Sequence, residues 1–143
     1  DDLRLTDEVP HVVIRTHPWR PLKTSGSERA IPLVGAGLWA SQRLLGTVSE
    51  QFLFPQYVDG ISTSANSASA ALNKWMKTFL PKDCVIHGMR RAFRDRLRAV
   101  NAPMDMIDQV GGWSKAIIGC LYGSGYTLIC TYNFMEPLIE INH

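Results

Sequence analysis

The stretch Val85-Ile86-His87-Gly88-Met89-Arg90-Arg91-Ala92-Phe93-Arg94-Asp95-Arg96-Leu97-Arg98-Ala99-Val100 decides how this chain folds. Met89, Phe93 and Leu97 recur at intervals of four between arginines, which predicts an amphipathic helix over 85–100 with one buried and one cationic face. Asn101-Ala102-Pro103 ends that helix and opens another, whose apolar side is Met104, Ile107 and Val110. Gly111-Gly112 stops the second helix where a chain reversal needs backbone freedom, and this leaves Trp113 at a turn.

On the N-terminal side, Leu3–Thr6, Val12–Thr16 and Arg29–Leu33 are short, β-rich and separated by turn residues, as in a small antiparallel sheet. Apolar residues recur at helical spacing over Ala36–Leu45 and again over Ser62–Leu80, where Leu72, Trp75, Met76 and Phe79 form a stripe; both segments read as core-facing helices. On the C-terminal side, Ser114–Leu121 and roughly Leu128–Ile141 read as short helices, with Pro137 arguing against one continuous final helix. The expected class is α+β and mainly helical, a small antiparallel sheet followed by a helical bundle.

A chain of 143 residues buries one core, so residues 1–143 read as a single domain or part of one. Apolar content of 45% and charged content of 20% suit a soluble domain, and no apolar run approaches the roughly 20 residues of a membrane span. A net charge of +2 is too small to establish an anionic partner, but Arg90, Arg91, Arg94, Arg96 and Arg98 lie within nine positions, opposed only by Asp95. Such a local basic surface suits a DNA backbone. Cys84, Cys120 and Cys130 lack a CxxC pair or zinc-ligand spacing and read as free thiols of a reducing cytoplasm. The N-terminus is not a signal peptide and reads as cut from something longer.

His87 and Arg90 share a helix face, and a planar guanidinium is suited to gripping two phosphate oxygens. Tyr122, nine residues beyond Trp113, supplies a candidate nucleophile. Phosphoryl transfer on DNA needs a nucleophile, neutralisation of the non-bridging oxygens and a proton for the departing 5′ oxygen. A tyrosine, with a free pKa of about 10, needs a base or a cationic pocket before it attacks at neutral pH. Taken singly, each residue has a plainer role: a tyrosine packed on the surface, an arginine on a solvated helix face, a lysine in a turn. Arg91, Arg94, Arg96 and Arg98 are assigned to solvent, to Asp95, or to phosphate contacts that position DNA without reading sequence. His11, His17 and His143 read as structural, and Trp19, Trp39, Trp75 and Tyr132 as packing residues.

From Asp83 to Tyr126 the chain resembles the C-terminal part of tyrosine recombinases, above all prophage and genomic-island integrases. The resemblance lies in His87-x-x-Arg90-x-x-Phe93-x-Asp95-Arg96-Leu97, then Asp108-Gln109-x-Gly111-Gly112-Trp113, then Tyr122-Gly123-x-Gly125-Tyr126. Lys23-Thr24 and Arg29-x-Ile31-Pro32-Leu33 resemble the family's KTxxSxRxIPL hairpin, which extends the likeness to most of the chain.

The resemblance implies that Tyr122 attacks phosphorus to give a 3′-phosphotyrosyl link, with Tyr126 as the rival nucleophile. It implies that Arg90 and His87 activate and stabilise, that Lys23 protonates the leaving 5′ oxygen, and that Trp113 takes a position many members give to histidine. An indole donates one hydrogen bond but is neither acid nor base. No metal or cofactor is implied. Expected partners are double-stranded DNA attachment sites, other copies in a homotetramer on synapsed DNA, and DNA-bending accessory proteins, all in the bacterial cytoplasm and nucleoid. By analogy, Ile129–Ile141 docks onto a neighbouring protomer.

The family's first catalytic arginine belongs to an RxxEIxxL-like segment that this sequence lacks, and Arg4 is no substitute. The chain is therefore expected to be an N-terminally truncated catalytic domain with little strand-cleaving activity of its own. Two other readings stand beside the integrase: a noncatalytic DNA-binding or assembly module from a decayed prophage, and a type IB topoisomerase-like enzyme.

Overall fold

The computed structural model describes residues 2–22, 27–46, 52–113 and 125–140. Three short strands, β1 (Leu3–Arg4), β2 (His11–Ile14) and β3 (Arg29–Pro32), form an antiparallel sheet in the order β1-β2-β3. Val12 pairs with Leu3 on one side and Ile31 on the other. Pro32, which has no N–H to give, closes β3 on the sheet edge, where a missing donor is tolerated. Among the described residues five α-helices accompany the sheet: α1 (Gly35–Leu45), α2 (Ala65–Met76), α3 (Ile86–Ala99), α4 (Met104–Gly111) and α5 (Leu128–Met135). The class is α+β and mainly helical. No helix among the described residues is long and apolar enough to cross a membrane.

The core lies where α3, α4 and the C-terminal segment meet β3. Leu97, Met106 and Ile107 are fully enclosed there, joined by Val110, Met135 and Leu138, with Ile31 and Phe93 packed against them. α3 ends as its sequence requires. Asn101 takes the left-handed conformation (φ 56), a region Asn tolerates better than most side chains, and Ala102 N–H returns to the Leu97 carbonyl at 3.0 Å. α4 repeats the device with Gly112 (φ 60): Trp113 N–H donates to Asp108 at 3.0 Å and Gly112 N–H to Gln109 at 3.3 Å.

Pro137 does break the last helix. α5 stops at Met135 and a single 3-10 turn, Glu136–Ile139, continues from it. Thr131, Met135 and Leu138 are buried within this chain and α5 packs on β3, while Ile129 and Ile139 are exposed. Ile141 lies outside the described residues.

Three sequence expectations are corrected. α1 buries no residue, and α2 buries only Met76. Trp39 and Trp75, each 60% exposed, and Leu72 and Phe79 beside them face outward instead of packing inward. Periodicity marks a shared face, but the core cluster draws on β3, α3, α4 and the C-terminal segment instead. α2 is instead tethered at its flank, where Asn73 Oδ1 accepts from Ile86 N–H at 2.8 Å. Met89 is likewise exposed, because the first turns of α3 project past the core that encloses Leu97. Trp75 and Phe79 pair edge to face at 4.6 Å.

His11 is buried with Nδ1 2.8 Å from the Val9 carbonyl. His17 stacks on Trp19 at 4.8 Å with Nε2 2.6 Å from Asp2. Both contacts fit structural roles. Burial opposes ionisation of the Asp2 carboxyl, but hydrogen bonds from His17 and Arg15 outweigh it and hold that group below the ordinary carboxylate value.

Candidate functional site

The cationic face of α3 meets the turn that ends α4. Arg90 lies with its guanidinium carbon 4.5 Å from the centre of the Trp113 ring, and Arg94, one turn further on, lies at 5.1 Å. A guanidinium over an indole contributes on the order of 0.5–2 kcal/mol, depending on how dry the contact is. Gly111 makes this placement possible. The Trp113 ring lies across its Cα, and any Cβ there would run into the indole.

The two arginines are held differently. Arg94 donates from Nη2 to Asp108 Oδ1 at 3.3 Å, and its Nε is buried with no hydrogen-bond partner among the described residues. Its charge is thus partly spent inside the fold. Arg90 is exposed and has no ion-pair partner among the described residues, so its guanidinium remains available to an anion. His87 is exposed one turn before Arg90, at the start of α3. Arg91 is exposed on the same helix, and Arg98 pairs with Asp95 at 3.2 Å.

Arg29 is a site residue that sequence reasoning missed. From the first position of β3 it donates through Nε to the Val110 carbonyl at 3.0 Å and through Nη1 to the Ser27 carbonyl at 2.7 Å. Burial, and then the neighbouring charge of Arg90, hold its guanidinium below the ordinary arginine value. The hairpin resemblance gives Arg29 no role of its own, and no local pattern signals a contact across 81 residues.

On the far side of α4, Gln109 clamps the chain as it returns. Its amide nitrogen donates to the Tyr126 carbonyl at 2.9 Å and its oxygen accepts from Tyr126 N–H at 2.9 Å. Gly125, at φ 73, brings the backbone against that amide. The Tyr126 hydroxyl donates to Asp105 Oδ1 at 2.9 Å, and this hydrogen bond chiefly raises its pKa above the ordinary phenol value.

The sign is that of a raised acid: the hydroxyl bond contributes below the unfolded value near 10 and is lost as pH rises through the higher folded value. Asp105→Asn removes the charge, so the Tyr126 titration followed by tyrosine NMR is expected to move down toward 10. An unmoved midpoint would mean that Asp105 does not control this phenol.

Of the predicted site residues, Arg90, Arg94 and Trp113 are brought together, with His87 and Arg91 on the same helix. Tyr122 and Lys23 lie outside the described residues, as does Cys120. Cys84 and Cys130 are free and half-buried. Among the described residues, no three histidine, cysteine or carboxylate side chains converge as a metal-binding group. Compared with protein-family models, with characterised proteins and with solved structures, the chain gave no match.

Proposed function

We propose that this chain is the catalytic part of a tyrosine-type site-specific DNA recombinase, an integrase that cuts and rejoins duplex DNA in the bacterial cytoplasm. One observation carries the reading. Arg90 of the His-x-x-Arg segment and Trp113 of the Gly-Gly-Trp segment, far apart in sequence, meet at 4.5 Å with the guanidinium open to solvent. A phosphodiester resting there meets a bidentate cation and an indole edge with one N–H to donate. The mainly helical α+β architecture with a small antiparallel sheet is compatible with the catalytic domain of that family.

In this reading the Tyr122 hydroxyl gives its proton to His87 as its oxygen attacks phosphorus in line, the 3′-phosphotyrosyl bond forms, and the bond to the 5′ oxygen breaks. Lys23 gives the departing 5′ oxygen its proton. Arg90, His87 and Trp113 hold the non-bridging oxygens as charge builds on them. The phosphotyrosyl link conserves the bond energy, and a 5′ hydroxyl of a second strand displaces it. Four copies act on two synapsed sites, with bending proteins assisting. Arg91 adds phosphate contact without sequence readout.

The test uses the full-length gene product and a pool of nicked duplexes with randomised cores. A protein–DNA adduct that survives denaturant and maps to Tyr122 is expected. It should vanish in Tyr122→Phe, persist in Tyr126→Phe and fall about a hundredfold or more in Arg90→Ala. Salt-dependent binding to duplex DNA without any adduct would favour a noncatalytic DNA-binding module instead. An adduct on Tyr126 would move the nucleophile.

A further inference from the structure

We infer that Arg29 is a positioning residue of this site: from β3 it holds the Gly111-Gly112 turn in place, and so sets the indole of Trp113 beside Arg90. Its effect on DNA chemistry rests on the recombinase reading; its effect on Trp113 does not.

The geometry is that of a clamp between two parts of the chain. A surface arginine ordinarily spreads its donors into water. Arg29 is half-buried and gives Nε to Val110, the residue just before the two glycines, while Nη1 closes back on Ser27 of its own hairpin. The flat guanidinium also lies against the Gly112 backbone. A Cβ built on Gly112 would stand 2.5 Å from Nη1, 2.6 Å from the guanidinium carbon and 2.9 Å from Nη2. One side chain therefore ties the last carbonyl before the turn and covers the turn itself. Trp113 follows directly, and its ring position is set by the path of the two residues before it.

The same clamp places a second cation near Arg90. Neither Arg29 nor Arg90 has a carboxylate partner among the described residues, and the cation repulsion lowers the Arg29 pKa after burial has done so. Keeping two like charges close has a cost that an anion at Trp113 relieves. Lysine is a poor replacement: a single ammonium on a flexible stem cannot reach both carbonyls while lying flat on a glycine.

The decisive experiment is fluorine NMR of the chain labelled with fluorotryptophan, each of the four resonances assigned by a single Trp→Phe variant. Arg29→Met keeps the aliphatic stem and removes the donors. The Trp113 resonance is expected to shift or broaden in Arg29→Met and in Arg29→Lys, while those of the exposed Trp39 and Trp75 hold still. A Trp113 resonance that keeps its position and width in a folded Arg29→Met chain overturns the inference. If Arg29→Met does not fold, Arg29→Lys is measured alone, and an unmoved Trp113 there is equally fatal.

A second readout separates the two proposals. In the full-length gene product, Arg29→Met is expected to slow single-turnover strand cleavage about a hundredfold, with duplex affinity changed far less. Loss of affinity in proportion to rate would instead make Arg29 a phosphate contact and overturn the positioning role. If the wild type forms no adduct at all, the recombinase reading fails while the Trp113 spectra still decide this one.

Discussion

Gly112→Ala is expected to destabilise the chain by about 3 kcal/mol, read as a fall in urea midpoint at unchanged slope. Two causes add. Gly112 sits at φ +60, where an L side chain costs roughly 1–2 kcal/mol, and its new Cβ falls within 2.9 Å of three guanidinium atoms of Arg29. The displaced arginine leaves the Val110 and Ser27 carbonyls without their donor, at roughly 1–3 kcal/mol for a buried group. Gly60→Ala is the matched control, since Gly60 also has positive φ (+83) but nothing within 4 Å of its Cβ position. It should show only the conformational cost. Equal losses at the two positions would mean that Arg29 contributes nothing to the turn.

Leu97→Ala is expected to cost about 3–4 kcal/mol and to loosen the site as well as the core. Leu97 has no exposed surface and sits where α3, α4 and the C-terminal segment converge. Little space around it can collapse to fill the cavity. Because Arg90 stands two turns earlier on the same helix, a slackened α3 carries its guanidinium off Trp113. If the proposed recombinase reading holds, duplex affinity should therefore fall along with the urea midpoint. Trp75→Ala, by contrast, removes a larger side chain that is 60% exposed, and is expected to change stability by about 0.5 kcal/mol or less. A Trp75→Ala cost rivalling Leu97→Ala would show that the outer face of α2 is packed in solution.

The elements around the site were the most legible part of the sequence. Arginines alternating with apolar residues over 85–100, the Asn101-Ala102-Pro103 stop and a glycine pair are local signals, and α3, α4 and their turns follow them within a residue or two. The strands followed equally from short β-rich runs between turn residues. The outward faces of α1 and α2 were misread for a physical reason: a helical period tells which side chains share a face, not whether anything covers it. Arg29, Gln109 and Asp105 were invisible as site residues for the converse reason. Each acts through a partner distant in sequence, Val110 or Tyr126, and a contact of that kind leaves no periodic trace.

The contact between Arg29 and Val110 also orders events in time. It closes a separation of 81 residues, whereas α3 and α4 are sequence neighbours and pack through local contacts. Loop closure over that distance carries an entropic penalty that the helix pair does not face, so the helices are expected to associate before the sheet reaches them. The same inequality holds in reverse for partial opening of the folded chain. Amide hydrogen exchange would register it as Val12 and Ile31 in the sheet exchanging at lower free energy than Leu97 and Ile107; equal protection would mean that sheet and helices open as one unit. A sheet that departs first takes Arg29 with it. Mild heat or denaturant would then release the turn that carries Trp113 while α3 and α4 are still paired, well before the chain unfolds.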